Sequence, residues 1–282
     1  MHSLRRDDAE IFYEIQGSGP PVVLLHPFPS HHEFWLPVIP ALESRYRLIL
    51  PDLRGHGQSE IGQGPASMPK HAADIAHIMD AAGIGKAAFI VCSIGGYIVF
   101  EFLRHFRSRV SAIALCNTRP QPDTAEARAN RLKSADAVLE QGTEQFLQSL
   151  MPKLLGATTL SARPDLVEGA LRMMRKMSPE DVSQVLRGMA DRPDSVPDLK
   201  HINLPTLIVI GEEDTFSTAA DGELMRQNIP GSRLKIIPKA GHYAPWERPE
   251  AVAPLLRQFL DFVPRCESRL EALGFRCSAL SS

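Results

Sequence analysis

The segment Phe89-Ile90-Val91-Cys92-Ser93-Ile94-Gly95-Gly96-Tyr97 joins two kinds of structure within nine residues. It continues an unbroken apolar run that begins at Ala87 and ends at Val91, the pattern of a strand buried on both faces. Past the glycines, Tyr97, Ile98, Phe100, Phe102 and Leu103 carry the apolar pattern on at helical spacing. A lone serine, Ser93, stands at the turn between strand and helix. Ligands of open α/β sheets bind at the carboxyl ends of the strands, which is where this serine falls.

Strand-like and helix-like runs alternate on either side of it. Ile11–Ile15 reads as an edge strand, followed by the turn Gly17-Ser18-Gly19-Pro20. Val22–Leu25 is a short buried run that leads into His26-Pro27-Phe28-Pro29, and a helix is expected from Glu33 to Leu42. Tyr46–Leu50 is the next strand and empties into Pro51-Asp52-Leu53-Arg54-Gly55-His56-Gly57-Gln58-Ser59. A helix covers Pro69–Ala82, and Val110–Cys116 is a further strand. This alternation with short connections predicts a mostly parallel, twisted sheet with helices on both faces.

Between Thr118 and Asp198 the strand-like runs vanish. Helical periodicity replaces them over Ala125–Glu140, Thr143–Leu154, Pro164–Met177 and Pro179–Ala190. Residues 118–198 therefore read as a helical lid inserted into a core made of residues 1–117 and 199–263. The core pattern resumes with the strand Thr206–Gly211, a helix at Ala219–Asn228, the strand Arg233–Ile237 and a helix at Pro249–Val263. Residues 264–282 form a tail, read as an appended helix or a loose end.

A chain of 282 residues can bury a sizeable core, and its net charge of −2 gives no sign of a nucleic-acid or membrane-surface partner. No apolar run approaches the ~20 residues of a membrane span. The start, Met1-His2-Ser3-Leu4-Arg5-Arg6-Asp7-Asp8, lacks the apolar stretch of a signal peptide, which favours the cytoplasm. Four cysteines are too few for a disulfide scaffold and lack zinc spacing. Cys92 and Cys116 read as buried thiols, whereas Cys266 and Cys277 in the tail are a pair that oxidation could join.

Cys92-Ser93-Ile94-Gly95 resembles the nucleophile elbow of the α/β-hydrolase family, G-x-S-x-G. In that motif a strained turn lifts the serine hydroxyl clear of the sheet, and small residues two before and two after it let strand and helix approach. Gly95 meets the second requirement, but Val91 stands where the first glycine belongs. Three more motifs follow the family's order. Gly211-Glu212-Glu213-Asp214 resembles its G-x-x-D turn, and Gly241-His242, with Glu247 and Pro249 beyond it, resembles its G-H motif. Asp52-Leu53-Arg54-Gly55-His56-Gly57-Gln58-Ser59 resembles the D-x-R-G-x-G-x-S loop of lactonases, esterases, epoxide hydrolases and cofactor-free haloperoxidases. Asn117-Thr118-Arg119 with Asp123-Thr124 is similar to enol-lactonase-like members.

The resemblance spans Ile11–Val263 and implies an α/β-hydrolase fold and a serine hydrolase of esters or lactones that needs no cofactor and no metal. It assigns Ser93 as nucleophile, His242 as base and Asp214 as the acid that orients the imidazole, with Glu212 and Glu213 as rivals by residue type. The backbone N–H groups of Phe28 and Ile94 would form the oxyanion hole, since Pro27 has no N–H to give. A neutral imidazole as base implies a rate that rises with pH through roughly 6–7. His56 stays outside the catalytic set, and the pair His31 and His32, without a third partner at ligand spacing, reads as polar loop.

Trp35 and Trp246, with Phe28, are candidate walls of a substrate pocket by their nearness in sequence to these motifs. Leu139, Phe146, Leu150, Leu154, Met173, Met174 and Met177 recur at helical spacing and are divided between core and acyl pocket. Mixed apolar contacts suggest a small or medium uncharged ester, and recognition of a substrate charge by a lid arginine such as Arg128 or Arg131 stays open without support from the pattern. Two alternatives stay open: a non-catalytic ligand-binding protein on the same fold, with the elbow twisted by Val91, and a perhydrolase or haloperoxidase-like enzyme using the same three residues. The partner expected is a small-molecule ester or lactone, and the oligomeric state is unknown.

Overall fold

The computed structural model describes residues 1–272, with side chains as far as Val263. Apart from the backbone course of the last helix, the tail and the Cys266–Cys277 pair lie outside the described residues. Eight strands, β1 (His2–Arg6), β2 (Ala9–Gln16), β3 (Pro21–Leu25), β4 (Arg47–Pro51), β5 (Ala87–Cys92), β6 (Val110–Cys116), β7 (Thr206–Gly211) and β8 (Arg233–Ile237), form one sheet in the order β1-β2-β4-β3-β5-β6-β7-β8. β1 pairs with β2 and β2 with β4 antiparallel, and all remaining neighbours are parallel. The helices are α1 (Met68–Ala81), α2 (Ile94–Phe106), α3 (Ala125–Gln141), α4 (Glu144–Leu154), α5 (Ala157–Ala162), α6 (Pro164–Met174), α7 (Pro179–Ala190), α8 (Ala219–Asn228), α9 (Ala244–Glu247) and α10 (Pro249–Ala272). No described helix is long and apolar enough to cross a membrane.

β5 lies in the middle of the sheet, and all six of its residues are buried. A strand covered on both faces needs apolar side chains at every position, which is why its sequence runs without alternation. Two apolar clusters sandwich the sheet. One contains Val91, Ile98 and Phe102, and the other Trp35, Ile90 and Phe259. Helices α3 to α7 fill the interval between β6 and β7, so the expected helical stretch is an insertion after a strand end.

Three expectations are corrected. Ile11–Ile15 is not an edge strand: β2 lies second in the sheet because the polar stretch His2–Arg6 pairs with it as β1. An edge strand half open to solvent can be almost wholly polar, so periodicity does not mark it. The helix expected at Glu33–Leu42 is two 3₁₀ turns, His32–Trp35 and Ile39–Ala41. Pro37 and Pro40 lack the N–H donors that a continuous helix needs there. The helix that starts at Pro164 ends at Met174 rather than Met177.

Val91 is fully buried, yet Ser93 adopts φ 53° and ψ −113°, a left-handed backbone that L-residues rarely take. Gly95 makes this compatible. A Cβ at Gly95 would sit 2.7 Å from the Leu25 carbonyl oxygen and 3.2 Å from Val91 Cβ, so the helix approaches the strands through the glycine. The valine fills space that a second glycine would leave empty. Val91→Gly is therefore expected to bring no gain in turnover and to cost about 3 kcal/mol of stability, from the cavity and from added backbone entropy of the unfolded chain. Urea denaturation midpoints beside ester turnover check this, and a faster variant of unchanged stability would contradict it.

Candidate active site

Ser93 caps α2 at the carboxyl end of β5 and is 8% exposed. Its N–H donates to the Cys116 carbonyl (3.1 Å), and its carbonyl accepts from Gly96 N–H (2.8 Å) and from the Thr118 hydroxyl (2.8 Å). A Cβ on Gly96 would fall 2.2 Å from that hydroxyl, so glycine is required where Thr118 grips the elbow. With the backbone held at both ends, the hydroxyl points away from the sheet and lies 2.8 Å from His242 Nε2.

His242 follows β8, and Asp214 follows β7. The imidazole Nδ1 sits 2.9 and 3.0 Å from the two Asp214 carboxylate oxygens. Asp214 also accepts from Asn117 Nδ2 (2.9 Å) and from the N–H groups of Phe216 (2.8 Å) and Ser217 (3.1 Å). Burial pushes its carboxyl up, but the adjoining His242, Asn117 and Ser217 outweigh that and hold it below the usual carboxylate range. An ionised carboxylate there accepts a hydrogen bond from Nδ1–H, which keeps the proton on Nδ1 and leaves Nε2 as an acceptor for the serine hydroxyl. Glu212 and Glu213 are turned elsewhere. Glu213 accepts from Thr158 N–H (2.9 Å) and Glu212 from Lys239 N–H (3.1 Å).

Three glycines let these loops meet. A Cβ on Gly211 would lie 2.2 Å from the Gly241 carbonyl oxygen, and one on Gly241 would lie 2.2 Å from Gly156 N. Buried Glu247 ties the same junction together. One oxygen accepts from Gly241 N–H (2.9 Å) and Tyr243 N–H (3.2 Å), the other from Gly156 N–H (2.8 Å) and the Thr159 hydroxyl (2.6 Å). The histidine loop is thus fastened to the insertion between β6 and β7. In the sequence, Glu247 stands out only as a mark of resemblance. Asn117, a polar residue at the end of the buried run of β6, does carry a signal of its own.

Phe28 lies in the loop after β3 and lines the same cavity as Ser93 and His242. Ile94 opens α2, where the first amides of a helix have no intrahelical acceptor. The Asp52–Ser59 loop buttresses this region. Asp52 accepts from His32 N–H (2.8 Å), His32 Nδ1 (2.7 Å) and Gln58 N–H (2.9 Å). Arg54 is buried and holds Asp74 through two nitrogens (2.9 and 2.8 Å). Asp52 supplies the third neighbour that spacing alone does not show beside His31 and His32, their ligand atoms lying within 4.8 Å of one another. Hydrogen bonds already use both Asp52 oxygens, so the trio reads as a loop tie.

The cavity has a volume of about 390 Å³. Ser93, His242, Phe28 and Phe216 lie on its wall, and Phe146, Leu150 and Leu154 reach it from α4. Trp35 and Trp246 do not line it. Trp35 is fully buried in the core, edge-on to Phe34 at 4.9 Å, and Trp246 packs over Gly169 of α6. Each stands near a site motif in sequence, yet packs against residues other than those that line the cavity. Met173, Met174 and Met177 are core, and Leu139 is exposed.

The family model described as alpha/beta hydrolase fold matches residues 20–249, most of the chain. The chain belongs to the α/β-hydrolase family. This α/β hydrolase is 36% identical to a thermophilic esterase of Thermogutta terrifontis, solved with malate bound, over 90% of this chain and 94% of that one, with a TM-score of 0.88. It is 25% identical to the enol-lactonase of Burkholderia xenovorans LB400 over 90% of this chain and 97% of that one, TM-score 0.84. Among curated proteins, 3-oxoadipate enol-lactonase 2 of Acinetobacter baylyi (strain ATCC 33305 / BD413 / ADP1) is 26% identical over 84% of this chain and 86% of its own length.

Around the site this α/β hydrolase buries several histidines. Burial holds His56 down to about 4, and burial together with the neighbouring His56 puts His26 and His71 well below the ordinary value. Each folded-state value lies under the unfolded one of ~6.5, so below that pH the unfolded chain binds protons that the folded chain refuses. The stability these groups leave intact above pH ~6.5 is lost as pH falls toward 4, at about 1.4 kcal/mol per pH unit for each histidine. His32 opposes this in part, because its Asp52 bond outweighs burial and raises it. Both ring nitrogens of fully buried His71 lack a hydrogen-bond partner among the described residues. His71→Leu is expected to raise the melting temperature and flatten its decline between pH 7 and 5. Calorimetry at three pH values checks both, and a steeper decline in the variant would contradict the assignment.

Proposed function

We propose that this α/β hydrolase cleaves carboxylic esters or lactones through an acyl-enzyme formed on Ser93, without a cofactor. The observation that carries the reading is the 2.8 Å contact between Ser93 Oγ and His242 Nε2 at a strained strand–helix turn, with the opposite ring nitrogen on Asp214. His242 takes the hydroxyl proton as Ser93 attacks the carbonyl, and the amides of Phe28 and Ile94 hold the oxyanion. His242 returns the proton to the leaving alkoxide, then activates water to release the acid. The esterase and enol-lactonase relatives support the reaction class. Helices α3, α4 and α7 act as the lid over the cavity in this reading.

A fluorophosphonate probe tests it. The expected result is one phosphonyl group per chain on the Ser93 peptide, with turnover of short-chain esters and lactones lost in step. Ester turnover that survives full labelling, or failure to label, would overturn the acyl-enzyme. Failure to label combined with tight ligand binding would favour the non-catalytic alternative.

A further inference from the structure

The lining of the cavity is cationic. Arg119, Arg131 and Lys153 line it against a single carboxylate, Asp123, which leaves an excess of two positive charges. Asp123 is already saturated. It accepts from Arg131 Nε (2.7 Å) and Nη2 (3.2 Å) and from the buried Arg192 (2.8 Å), and only a long 3.3 Å contact remains for Arg119. Arg192 is held behind the cavity by this bond and by the Tyr97 ring, 4.4 Å from its guanidinium. Arg119 Nε is buried with no hydrogen-bond partner, and Lys153 makes no hydrogen bond or ion pair among the described residues.

With Nε sealed in the wall, the Arg119 guanidinium, on a side chain 29% exposed, offers the cavity its two terminal nitrogens. Its planar donor edge matches a carboxylate, which takes two parallel bonds. Arg119 is also fixed in place. It follows Thr118, which grips the Ser93 carbonyl, and Asn117, which binds Asp214.

On these grounds, and resting on the hydrolase reading above, we propose that the substrate carries a carboxylate remote from the scissile carbonyl, and that Arg119 and Lys153 bind it. The uncharged ester suggested by the sequence is thereby replaced by an anionic one: a dicarboxylic half-ester, or a lactone bearing an acid arm.

The test compares kcat/KM for monomethyl adipate and methyl heptanoate, which match closely in length and differ in charge. The wild type is expected to favour the half-ester at least ~10-fold, and Arg119→Gln or Lys153→Gln to reduce that ratio about tenfold, the size of one charge-assisted bond. Arg128→Gln, an exposed residue paired with Asp191 outside the cavity, is expected to leave the ratio unchanged. A wild-type ratio near one, or a ratio unmoved in both cavity variants, would overturn the proposal while leaving ester hydrolysis standing. Should the wild type cleave neither ester nor react with the fluorophosphonate, the hydrolase reading falls, and calorimetric titration with adipate judges the anion site alone. Saturable binding weakened about tenfold by Arg119→Gln supports it, and absence of saturable heat overturns it.

Discussion

Ser93→Ala is expected to lower kcat for any ester or lactone the protein turns over by ~10⁵–10⁶-fold, leaving only the residue of rate that binding and the oxyanion donors supply. The variant removes one oxygen. Its Cβ stays, so the elbow keeps the bonds from Ser93 N–H to Cys116 and from Thr118 to the Ser93 carbonyl. The lost contact is the 2.8 Å bond to His242 Nε2, which the imidazole can exchange for water. Stability should therefore change little, or rise slightly as the alanine relieves a buried hydroxyl, and the loss of rate cannot be attributed to unfolding. Burst kinetics on a 4-nitrophenyl ester with a melting curve on the same sample decide the matter. Retained turnover in a folded Ser93→Ala protein would remove the serine from the chemistry.

The second large effect is expected at Asp214. Asp214→Asn preserves shape but replaces a pure acceptor by a group with two N–H donors. Four donors already converge on this side chain: His242 Nδ1, Asn117 Nδ2 and the N–H groups of Phe216 and Ser217. An asparagine can satisfy only some of them, and it favours the imidazole tautomer with the proton on Nε2. In that form Nε2 no longer accepts from Ser93. A fall in kcat of about 10⁴ follows, with a smaller change in KM. Glu212→Gln and Glu213→Gln serve as controls, because those carboxylates face Lys239 and Thr158. A loss as large in either control as in Asp214→Asn would show that the acid had been misassigned.

Much of the architecture is legible because its determinants are local. A strand buried on both faces must be apolar at each position, so β5, β6 and β7 can be read from runs of five to seven residues. The misreadings are local conflicts as well. β1 is polar because an edge strand tolerates it, and the stretch after Pro29 has helical periodicity while Pro37 and Pro40 withhold the donors. Val91 departs from the glycine of the motif, yet Gly95 alone provides the clearance between helix and strands.

Pocket contents are less legible, since side-chain direction over a turn depends on packing from distant elements. Trp35 is close in sequence to the loop that carries Phe28, but in space it turns into the core beside Phe34 while Phe28 faces the cavity.

Local pattern is enough to fix the alternation of strand and helix, the position of a serine, an acid and a histidine at three strand ends, and their order along the chain. Only the folded arrangement brings Asn117 and Glu247 to brace these groups, leaves both tryptophans out of the cavity lining, and sets Arg119, Arg131 and Lys153 into that lining with one saturated carboxylate. The physical reason is range. Periodicity and turn chemistry act over a few residues, whereas the bonds from Asn117 to Asp214 and from Glu247 to Gly156 close separations of 97 and 91 residues.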